Sequence, residues 1–313
     1  MVDLSVRIGG LTLANPVMPA SGTFAEGLAR VIPLDRLGAF VTKTIMREPR
    51  AGNPVPRVAE AGDGMLNSIG IPSKGVAPFL AETVPFYRGY GPPLVVSISA
   101  HSADEFAVLA REVTVEGVAA IEANISCPNI EADGRAFAME PGTTAAVVER
   151  LRAATPLPLW AKLTPNTGDV AAVARAAEAA GADAVVVANT ILAMSINVES
   201  FRPTLGNVMG GLSGPAVKPI ILRMVYQCAR AVGIPVIGCG GISTADDAVE
   251  YLLAGASAVQ VGTASFIHPT ALTSVIDGLE GFCARRGIDR VADLVGAVAE
   301  GPVAEGPAAE VAW

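Results

Sequence analysis

The chain has 313 residues, of which 51% are hydrophobic, and its formal net charge at pH 7 is −8. This acidity argues against a nucleic-acid-binding protein, whose surface needs a basic stripe to displace counterions from phosphates. No uninterrupted apolar stretch reaches the roughly eighteen residues that a membrane span requires. The first residues lack the basic region of a signal peptide, so we expect a cytoplasmic protein that does not associate with membranes.

The first predicted element in the chain is a β-hairpin, in which the strands Val6–Ile8 and Leu11–Leu13 flank two glycines. Eight further β-rich or apolar segments follow, at residues 16–20, 39–43, 94–98, 118–125, 157–163, 183–188, 234–238 and 257–261. Several of them, such as residues 183–188, are apolar without alternation. That pattern is typical of parallel strands buried on both faces.

Helical patterns separate most of these strands, at residues 104–115, 143–153, 169–180, 216–232, 244–254 and 271–286. Alternating strands and helices predict an α/β protein with a parallel sheet, and eight repeats predict a (β/α)8 TIM barrel. A doubly wound open sheet is the alternative. Two connections, residues 45–93 and 189–214, are long enough to be active-site loops. We expect residues 1–296 to form a single domain and residues 297–313 to be a disordered tail.

One short motif carries the clearest chemical signal. Residues 124–129 read Asn-Ile-Ser-Cys-Pro-Asn, so the Cys127 thiol follows a predicted strand and lies between the side-chain amides of Asn124 and Asn129. The carboxyl ends of barrel strands are where such folds build active sites. A thiol there can act as a nucleophile or as a general base, whereas the alternative is a buried, inert cysteine. The four cysteines show no Cys-x-x-Cys spacing and there are two histidines, so we expect no metal site.

Polar or small residues also lie at, or directly after, the C-terminal ends of the other predicted strands. They are Ser21, Lys43, Thr44, Ser97, Ser99, Lys162, Asn189, Thr190, Gly240, Gly241, Gly262 and Thr263. A lysine in an apolar strand is costly to bury without a partner, and it could instead point outward between helices. Two such lysines at strand ends, Lys43 and Lys162, favour a site at the barrel mouth.

The glycine turns after the last two strands suggest a phosphate site, which this fold commonly places there. Gly240 and Gly241 precede a predicted helix, for which we expect Ser243 to be the N-cap and Asp246 its capping-box partner. The turn at residues 262–265 offers further donors. Two ordinary tight turns are the alternative. Together these residues indicate a phosphorylated cofactor near a thiol, which could take a proton while a hydride leaves for that cofactor.

From residue 4 to about residue 296 the chain resembles the class 1 dihydroorotate dehydrogenases, and subclass 1B more than 1A. Seven segments carry the resemblance in order: residues 15–24, 42–44, 67–70, 124–129, 161–166, 206–215 and 240–242. The resemblance implies a TIM barrel with FMN at its mouth, which oxidises dihydroorotate to orotate in pyrimidine (UMP) biosynthesis. It also implies that Cys127 is the base that removes the C5 proton while the C6 hydride goes to FMN.

The resemblance further implies two sets of binding residues. Those expected to hold FMN are Ser21, Lys43, Thr44, Ser99, Asn124, Lys162, Val187, Gly214, Gly240, Gly241, Gly262 and Thr263. Those expected around orotate are Lys43, Asn67, Ile69, Gly70, Ile71, Asn124, Asn129, Asn189 and Thr190. Two departures from the 1B pattern are Ile71-Pro72-Ser73, where Leu-Gln-Asn is usual, and Arg135, where we expect a small residue.

Subclass 1B implies a partner subunit that holds FAD and a 2Fe-2S cluster and passes electrons to NAD+, with a homodimer core inside a heterotetramer. A second enzymatic hypothesis is a fumarate-dependent 1A-like enzyme, or a related FMN oxidoreductase acting on another pyrimidine. A third is a barrel that binds FMN or a partner without turnover. A flavin-dependent tRNA reductase is disfavoured by the net charge of −8.

Overall fold

A parallel sheet and its surrounding helices make up most of the computed structural model, which describes residues 2–126, 136–299 and 301. In chain order, the strands of the described residues are β1 (Val6–Ile8), β2 (Leu11–Leu13), β3 (Val17–Pro19), β4 (Phe40–Val41), β5 (Val58–Ala61), β6 (Gly64–Asn67), β7 (Leu94–Ile98), β8 (Ala120–Asn124), β9 (Leu159–Lys162), β10 (Ala184–Val187), β11 (Ile191–Met194), β12 (Ile196–Asn197), β13 (Arg202–Pro203), β14 (Met209–Ser213), β15 (Val236–Cys239) and β16 (Ala256–Val261). The α-helices are α1 (Val76–Pro78), α2 (Val84–Tyr87), α3 (Ala103–Val113), α4 (Pro141–Ala154), α5 (Val170–Ala179), α6 (Lys218–Ala229), α7 (Ala245–Leu253), α8 (Ala264–Ile267) and α9 (Ala271–Arg286).

The central sheet has eight strands in the order β3-β16-β15-β10-β9-β8-β7-β4, and each neighbouring pair is parallel. Its two end strands meet, because the backbone N–H of Gly38, just before β4, donates to the carbonyl of Val17 in β3 at 2.9 Å. The sheet therefore closes on itself. The TIM-barrel prediction is confirmed, and the open-sheet alternative is wrong.

Local sequence explains why these elements form where they do. Strand β10 contains alanine and valine alone, and all four residues are fully buried, as expected for a strand covered on both faces. Helix α3 begins at Ser102, whose Oγ accepts a hydrogen bond from the backbone N–H of Glu105 at 3.1 Å. All eight predicted barrel strands, the predicted hairpin and all six predicted helices are present, with boundaries that differ by a few residues.

The two long connections were predicted to be active-site loops, and they fold together into a second sheet. Strands β5 and β6 from the first connection and β11 and β14 from the second form an antiparallel sheet in the order β11-β14-β6-β5. Leu66 pairs with Leu212 across the two connections and is only 1% exposed. Ile191 and Leu212 pack against the barrel core. This arrangement holds the second sheet over the barrel.

The proposed boundary at residue 296 stays a prediction, and most of the predicted tail, residues 300 and 302–313, lies outside the described residues. Among the described helices, none is both long and apolar enough to cross a membrane.

Candidate active site

A buried carboxylate that the sequence reasoning missed lies at the centre of the site. Glu122 in β8 is fully buried and accepts hydrogen bonds from Ser97 Oγ at 3.0 Å and from Gln260 Nε2 at 2.6 Å. Strand β16, which carries Gln260, is not a neighbour of β8 in the sheet. The bond to Gln260 therefore crosses the barrel interior, and Glu122 points inward. The available signal was an acidic residue two positions before Asn124, on the same face of the strand.

Lys162 also points inward, so the alternative of an outward-facing lysine is wrong. Its Nζ donates to Gln260 Oε1 at 2.9 Å and to Ser21 Oγ at 3.2 Å, and it lies 3.7 Å from Glu122 Oε1. Burial alone would lower the pKa of Lys162, but the acidic groups of Cys239 and Glu122 outweigh burial and raise that pKa. The ammonium is therefore protonated at neutral pH.

The same hydrogen-bond network continues to the barrel mouth. The hydroxyls of Ser97 and Thr44 are 2.9 Å apart, and Asn124 Nδ2 donates to Thr44 Oγ1 at 3.2 Å. Ser126 Oγ donates to Asn124 Oδ1 at 2.7 Å and accepts from Asn189 Nδ2 at 2.7 Å. Predicted cofactor and substrate residues thus belong to one connected set. Ser126, which sequence reasoning did not single out, joins the two asparagines.

Other predicted site residues lie along the same rim. Ser99 Oγ donates to the carbonyl of Asn124 at 3.3 Å, and Val187 is fully buried at the end of β10. The backbone N–H of Thr190 donates to Asn189 Oδ1 at 2.8 Å. Cys127, Asn129 and Arg135 lie outside the described residues, so their predicted roles stay predictions.

Lys43 lines a cavity of about 230 Å³ between the barrel mouth and the first long connection, residues 45–93. Its Nζ approaches Gly22 so closely that a Cβ at Gly22 would lie 3.2 Å from it. The residues that line the cavity are Phe24, Ala25, Glu26, Thr42, Lys43, Thr44, Ile45, Pro72, Ser73, Lys74, Gly75, Phe79, Thr83 and Tyr87. A cavity with a lysine, hydroxyls and aromatic walls suits a small anionic ring.

The predicted phosphate turns converge. Gly241 has a φ of +70°, and a Cβ there would lie 2.9 Å from the carbonyl oxygen of Gly214. Thr263 Oγ1 donates to Ser213 Oγ at 2.8 Å, which joins the turn after β16 to the strand that leads into Gly214. Gly240, Gly241, Gly214 and the turn at Gly262 and Thr263 are thereby brought to one corner of the mouth.

The corner also contains a buried hydroxyl that fits a phosphate. Ser265 Oγ, in α8, has no hydrogen-bond partner among the described residues, although it is buried. Buried hydroxyls are normally satisfied, and a phosphate oxygen would accept this bond. The residues present therefore suit an anionic group at this corner.

The predicted cap of α7 is wrong by one residue. The N-cap is Thr244, not Ser243, and its capping-box partner is Asp247, not Asp246. Ser243 and Thr244 are each followed three residues later by an aspartate in the first turn of the helix, so the sequence pattern alone fits either residue as the N-cap. Asp247 also accepts from the backbone N–H of Ser243 at 2.9 Å and pairs with Lys218 at 2.7 Å, which fixes the register.

The substrate residues predicted from the second sheet and its following loop are held by hydrogen bonds to backbone carbonyls. Asn67 Nδ2 donates to the carbonyl of Gly211 at 3.3 Å, and the carbonyl of Ile69 accepts from the N–H of Asn53 at 3.1 Å. The carbonyl of Gly70 accepts from Arg50 Nε at 2.7 Å. Ile71 has a φ of +48°, which a β-branched residue adopts only when its surroundings impose it.

Residues 71–73, which depart from the subclass 1B pattern, lie in the same loop and are held there by hydrogen bonds. Ser73 and Arg50 exchange two backbone hydrogen bonds, of 2.8 and 2.9 Å, and Ser73 Oγ accepts from the N–H of Gly75 at 3.1 Å. Ser73 thus makes a structural hydrogen bond with its hydroxyl. The asparagine that is usual at this position in the 1B pattern would have to make that bond with its amide. Pro72 and Ser73 border the cavity that contains Lys43.

Asp247→Asn should destabilise the protein by about 1–3 kcal/mol at neutral pH, because it loses hydrogen bonds to a charged group. Burial opposes the Asp247 charge, but Lys218 and the N–H groups of Ser243 and Thr244 lower its pKa overall. Its stabilising effect is therefore present above the ordinary value of 3.8 and lost as the pH falls further. Urea unfolding of both proteins at neutral and acid pH measures this.

The control for that prediction is Asp246→Asn, which changes an exposed residue in the same first turn of α7. It should change the free energy of unfolding by less than about 0.5 kcal/mol at either pH. An equal loss in both variants would mean that helix-dipole effects, and not the cap, explain the acidic residues.

A closed parallel barrel whose polar side chains converge at the carboxyl ends of its strands defines an enzyme of the TIM-barrel class. Comparisons with known proteins identify the family. Residues 3–282 match the family model described as Dihydroorotate dehydrogenase. The chain is 50% identical over 298 residues to the "Dihydroorotate dehydrogenase B (NAD(+)), catalytic subunit" of Trichlorobacter lovleyi. The aligned region covers 94% of this chain and 98% of that protein.

A protein of the same name from Pelobacter propionicus is 48% identical over 299 residues, covering 95% of this chain and 98% of that protein. Among solved structures, DHODH from Eimeria tenella in complex with ferulenol aligns with a TM-score of 0.78 and 25% identity, covering 94% of this chain and 88% of that one. The chain belongs to the dihydroorotate dehydrogenase family.

Proposed function

We propose that this protein is the FMN-containing catalytic subunit of a subclass 1B dihydroorotate dehydrogenase. It oxidises dihydroorotate to orotate in UMP biosynthesis and passes electrons to NAD+ through a partner subunit with FAD and a 2Fe-2S cluster. The observation that carries this proposal is the hydrogen-bond network from Lys162 to Asn189, which joins the expected cofactor residues to the expected substrate residues. The names of the two bacterial relatives support the NAD+-linked form.

The described residues have the chemistry that FMN requires. Bound FMN would supply the hydride acceptor of the reaction. Lys162, Ser21, Thr44 and Asn124 would hold its ring by hydrogen bonds, since they supply an ammonium, two hydroxyls and an amide. Its phosphate would lie at the corner formed by the glycine turns at residues 240–241 and 262–263, where the hydroxyl of Ser265 lacks a partner among the described residues. Ser99, Val187 and Gly214 complete the proposed set.

The substrate half of the site suits a small anionic ring with imide edges. Asn67, Asn124 and Asn189 each offer an amide that can both donate and accept, as an imide requires. Lys43 would offset the carboxylate charge. Ile69, Gly70, Ile71, Asn129 and Thr190 are the remaining residues proposed to surround the ring. The backbone N–H of Thr190 can only donate, so it sets the amide direction of Asn189, and the Ser126 hydroxyl carries that direction on to Asn124. The remaining N–H groups and lone pairs of both amides are therefore oriented before substrate binds.

Cys127 would take the C5 proton as a thiolate. An unperturbed cysteine has a pKa of about 8.5, which leaves a minority of thiolate near neutral pH, and a nearby cation raises that fraction. Cys127 directly follows Ser126 in the sequence, and the Ser126 hydroxyl bonds to both Asn124 and Asn189. The chain is thus anchored at the residue before the proposed base.

Turnover assays with defined acceptors test the proposal. The purified chain is denatured and the released flavin identified, and the intact chain is then assayed for orotate formation with a redox dye, fumarate or NAD+. We expect FMN, orotate formation with the dye, and NAD+ reduction only when the electron-transfer subunit is added. Efficient use of fumarate by the chain alone would favour the 1A-like hypothesis, and bound FMN without turnover would favour the non-catalytic one.

We propose a cytoplasmic homodimer core within a heterotetramer. Sedimentation with and without the partner subunit would measure this assembly.

Lys43→Ala should weaken orotate binding at least about tenfold, because a charge-assisted hydrogen bond in a protected site contributes roughly 1.5–3 kcal/mol. Titration of the flavin absorbance with orotate measures the dissociation constant. Lys74→Ala is the matched control, since Lys74 borders the same cavity but its side chain is 81% exposed and paired with Glu82. Equal effects of the two substitutions would remove Lys43 from the substrate site.

A further inference from the structure

Glu122 has a position that the proposed chemistry leaves unexplained, because it contacts no residue expected to touch substrate directly. Its carboxylate lies inside the barrel and is fully buried. We propose that Glu122 is a positioning residue that holds both the charge and the direction of the Lys162 ammonium toward FMN. This inference rests on the proposed function, because it assigns Lys162 to the cofactor.

The direction of the Lys162 ammonium is set through the side-chain amide of Gln260. A carboxylate can only accept hydrogen bonds and an ammonium can only donate them. Gln260 Nε2 lies 2.6 Å from Glu122 Oε2, and Gln260 Oε1 lies 2.9 Å from Lys162 Nζ. Only this orientation of the amide satisfies both neighbours. Glu122 therefore fixes Gln260, and Gln260 in turn fixes one bond of the ammonium, while Ser21 accepts another.

The charge follows from the groups that face Lys162. These are Glu122 from β8, Cys239 from β15, Gln260 from β16 and Ser21 after β3. Gln260 and Ser21 are neutral. Burial raises the pKa of the Cys239 thiol, so this group stays protonated near neutral pH. Among the described groups that face Lys162, Glu122 is therefore the one carboxylate, and its Oε1 lies 3.7 Å from Lys162 Nζ.

A contribution to stability alone does not account for this arrangement. A buried ion pair often stabilises a fold no more than well-packed apolar residues of similar volume would. The Glu122 side chain is fully buried and that of Lys162 is 3% exposed, yet both are surrounded by polar groups that reach the barrel mouth. A cation held at a fixed orientation would stabilise the negative charge that a bound flavin ring gains when it accepts a hydride.

The test compares FMN binding by the wild type and by Glu122→Gln between about pH 6 and pH 9, using the quenching of FMN fluorescence by the apoprotein. Without the carboxylate, burial lowers the pKa of Lys162, so the lysine loses its proton as the pH rises. The ratio of the variant to the wild-type dissociation constant should therefore rise about tenfold or more over this range. A ratio that stays constant with pH would overturn the proposal.

Two further variants separate charge from packing. Glu122→Asp keeps the charge and should give a ratio that does not change with pH, even if FMN binds more weakly. Glu60→Gln makes the same substitution at an exposed position of β5 and should match the wild type throughout. A pH-dependent ratio in Glu122→Asp equal to that in Glu122→Gln would assign the effect to packing and overturn the proposal.

A measurement on the wild-type apoprotein covers the case in which Glu122→Gln does not fold. Nuclear magnetic resonance of labelled lysine, assigned with Lys162→Arg, should show that Lys162 keeps its proton beyond the ordinary value of 10.5, and that it does so equally in Cys239→Ser, which leaves Glu122 as the acidic group facing the lysine. Loss of the proton below that value would overturn the proposal. Since this measurement needs no FMN, a chain that fails to bind FMN would contradict the proposed function while Lys162 still reports on Glu122.

Discussion

Cys127→Ser should slow the reduction of FMN by dihydroorotate about 10²–10⁴-fold near neutral pH, while FMN remains bound. This is the range that a general base contributes, and a serine hydroxyl is a far weaker acid than a thiol, so much less of the basic form is available. Anaerobic stopped-flow absorbance measures the rate, and the spectrum before mixing measures bound FMN. The rise of the rate with pH, which reports thiolate formation, should also disappear.

The control is Cys283→Ser, which makes the same substitution at a buried position in α9. It should reduce FMN at the wild-type rate even if the protein becomes less stable. A Cys127→Ser variant that kept the normal rate and pH profile would show that another group removes the proton.

Lys162→Met should lower the free energy of unfolding of the apoprotein by about 3–5 kcal/mol, because removing one partner leaves the other charge buried and unpaired. Here the unpaired charge is that of Glu122, which within the described residues retains the hydrogen bonds from Ser97 and Gln260 but no cation. FMN binding should also be lost or greatly weakened. Urea unfolding of the apoprotein measures the first effect, and fluorescence titration with FMN measures the second.

Lys74→Met provides a matched control, since the exposed Lys74–Glu82 pair should contribute less than about 1 kcal/mol. The double variant Lys162→Met/Glu122→Gln should recover part of the lost stability, because no unpaired charge remains. Additive losses in the double variant would show that the two side chains are energetically independent, contrary to the network described above.

The strands and helices of the barrel could be predicted because each has a local signal. The apolar run at residues 184–187 has no alternation, and an N-cap such as Ser102 precedes an amphipathic helix. The second sheet could not be predicted, since β6 and β14 are short and far apart in the chain. Their pairing depends on the contact of Leu66 with Leu212, for which a single sequence contains no signal.

The site residues likewise fall into those that the sequence predicted and those that it did not. Residues at or just after strand ends, such as Lys43, Asn124 and Lys162, were identified because the barrel fold brings strand ends together. Glu122 and Gln260 were missed because they lie inside strands and the reasoning considered strand ends; for Glu122, the two-residue offset from Asn124 was a signal that both share one strand face. The cap of α7 was misplaced by one residue because Ser243 and Thr244 are both good caps, and tertiary contacts with Lys218 decide between their acidic partners.

The measurement that tests the central claim most directly is an anaerobic visible spectrum of the purified chain, recorded before and after addition of dihydroorotate. We predict an oxidised flavin spectrum that bleaches on addition and is restored by an electron acceptor. A flavin spectrum that dihydroorotate leaves unchanged would contradict the proposed substrate and would direct attention to the departures at Pro72 and Arg135. A colourless chain that stays colourless after FMN is added would contradict the proposed cofactor site.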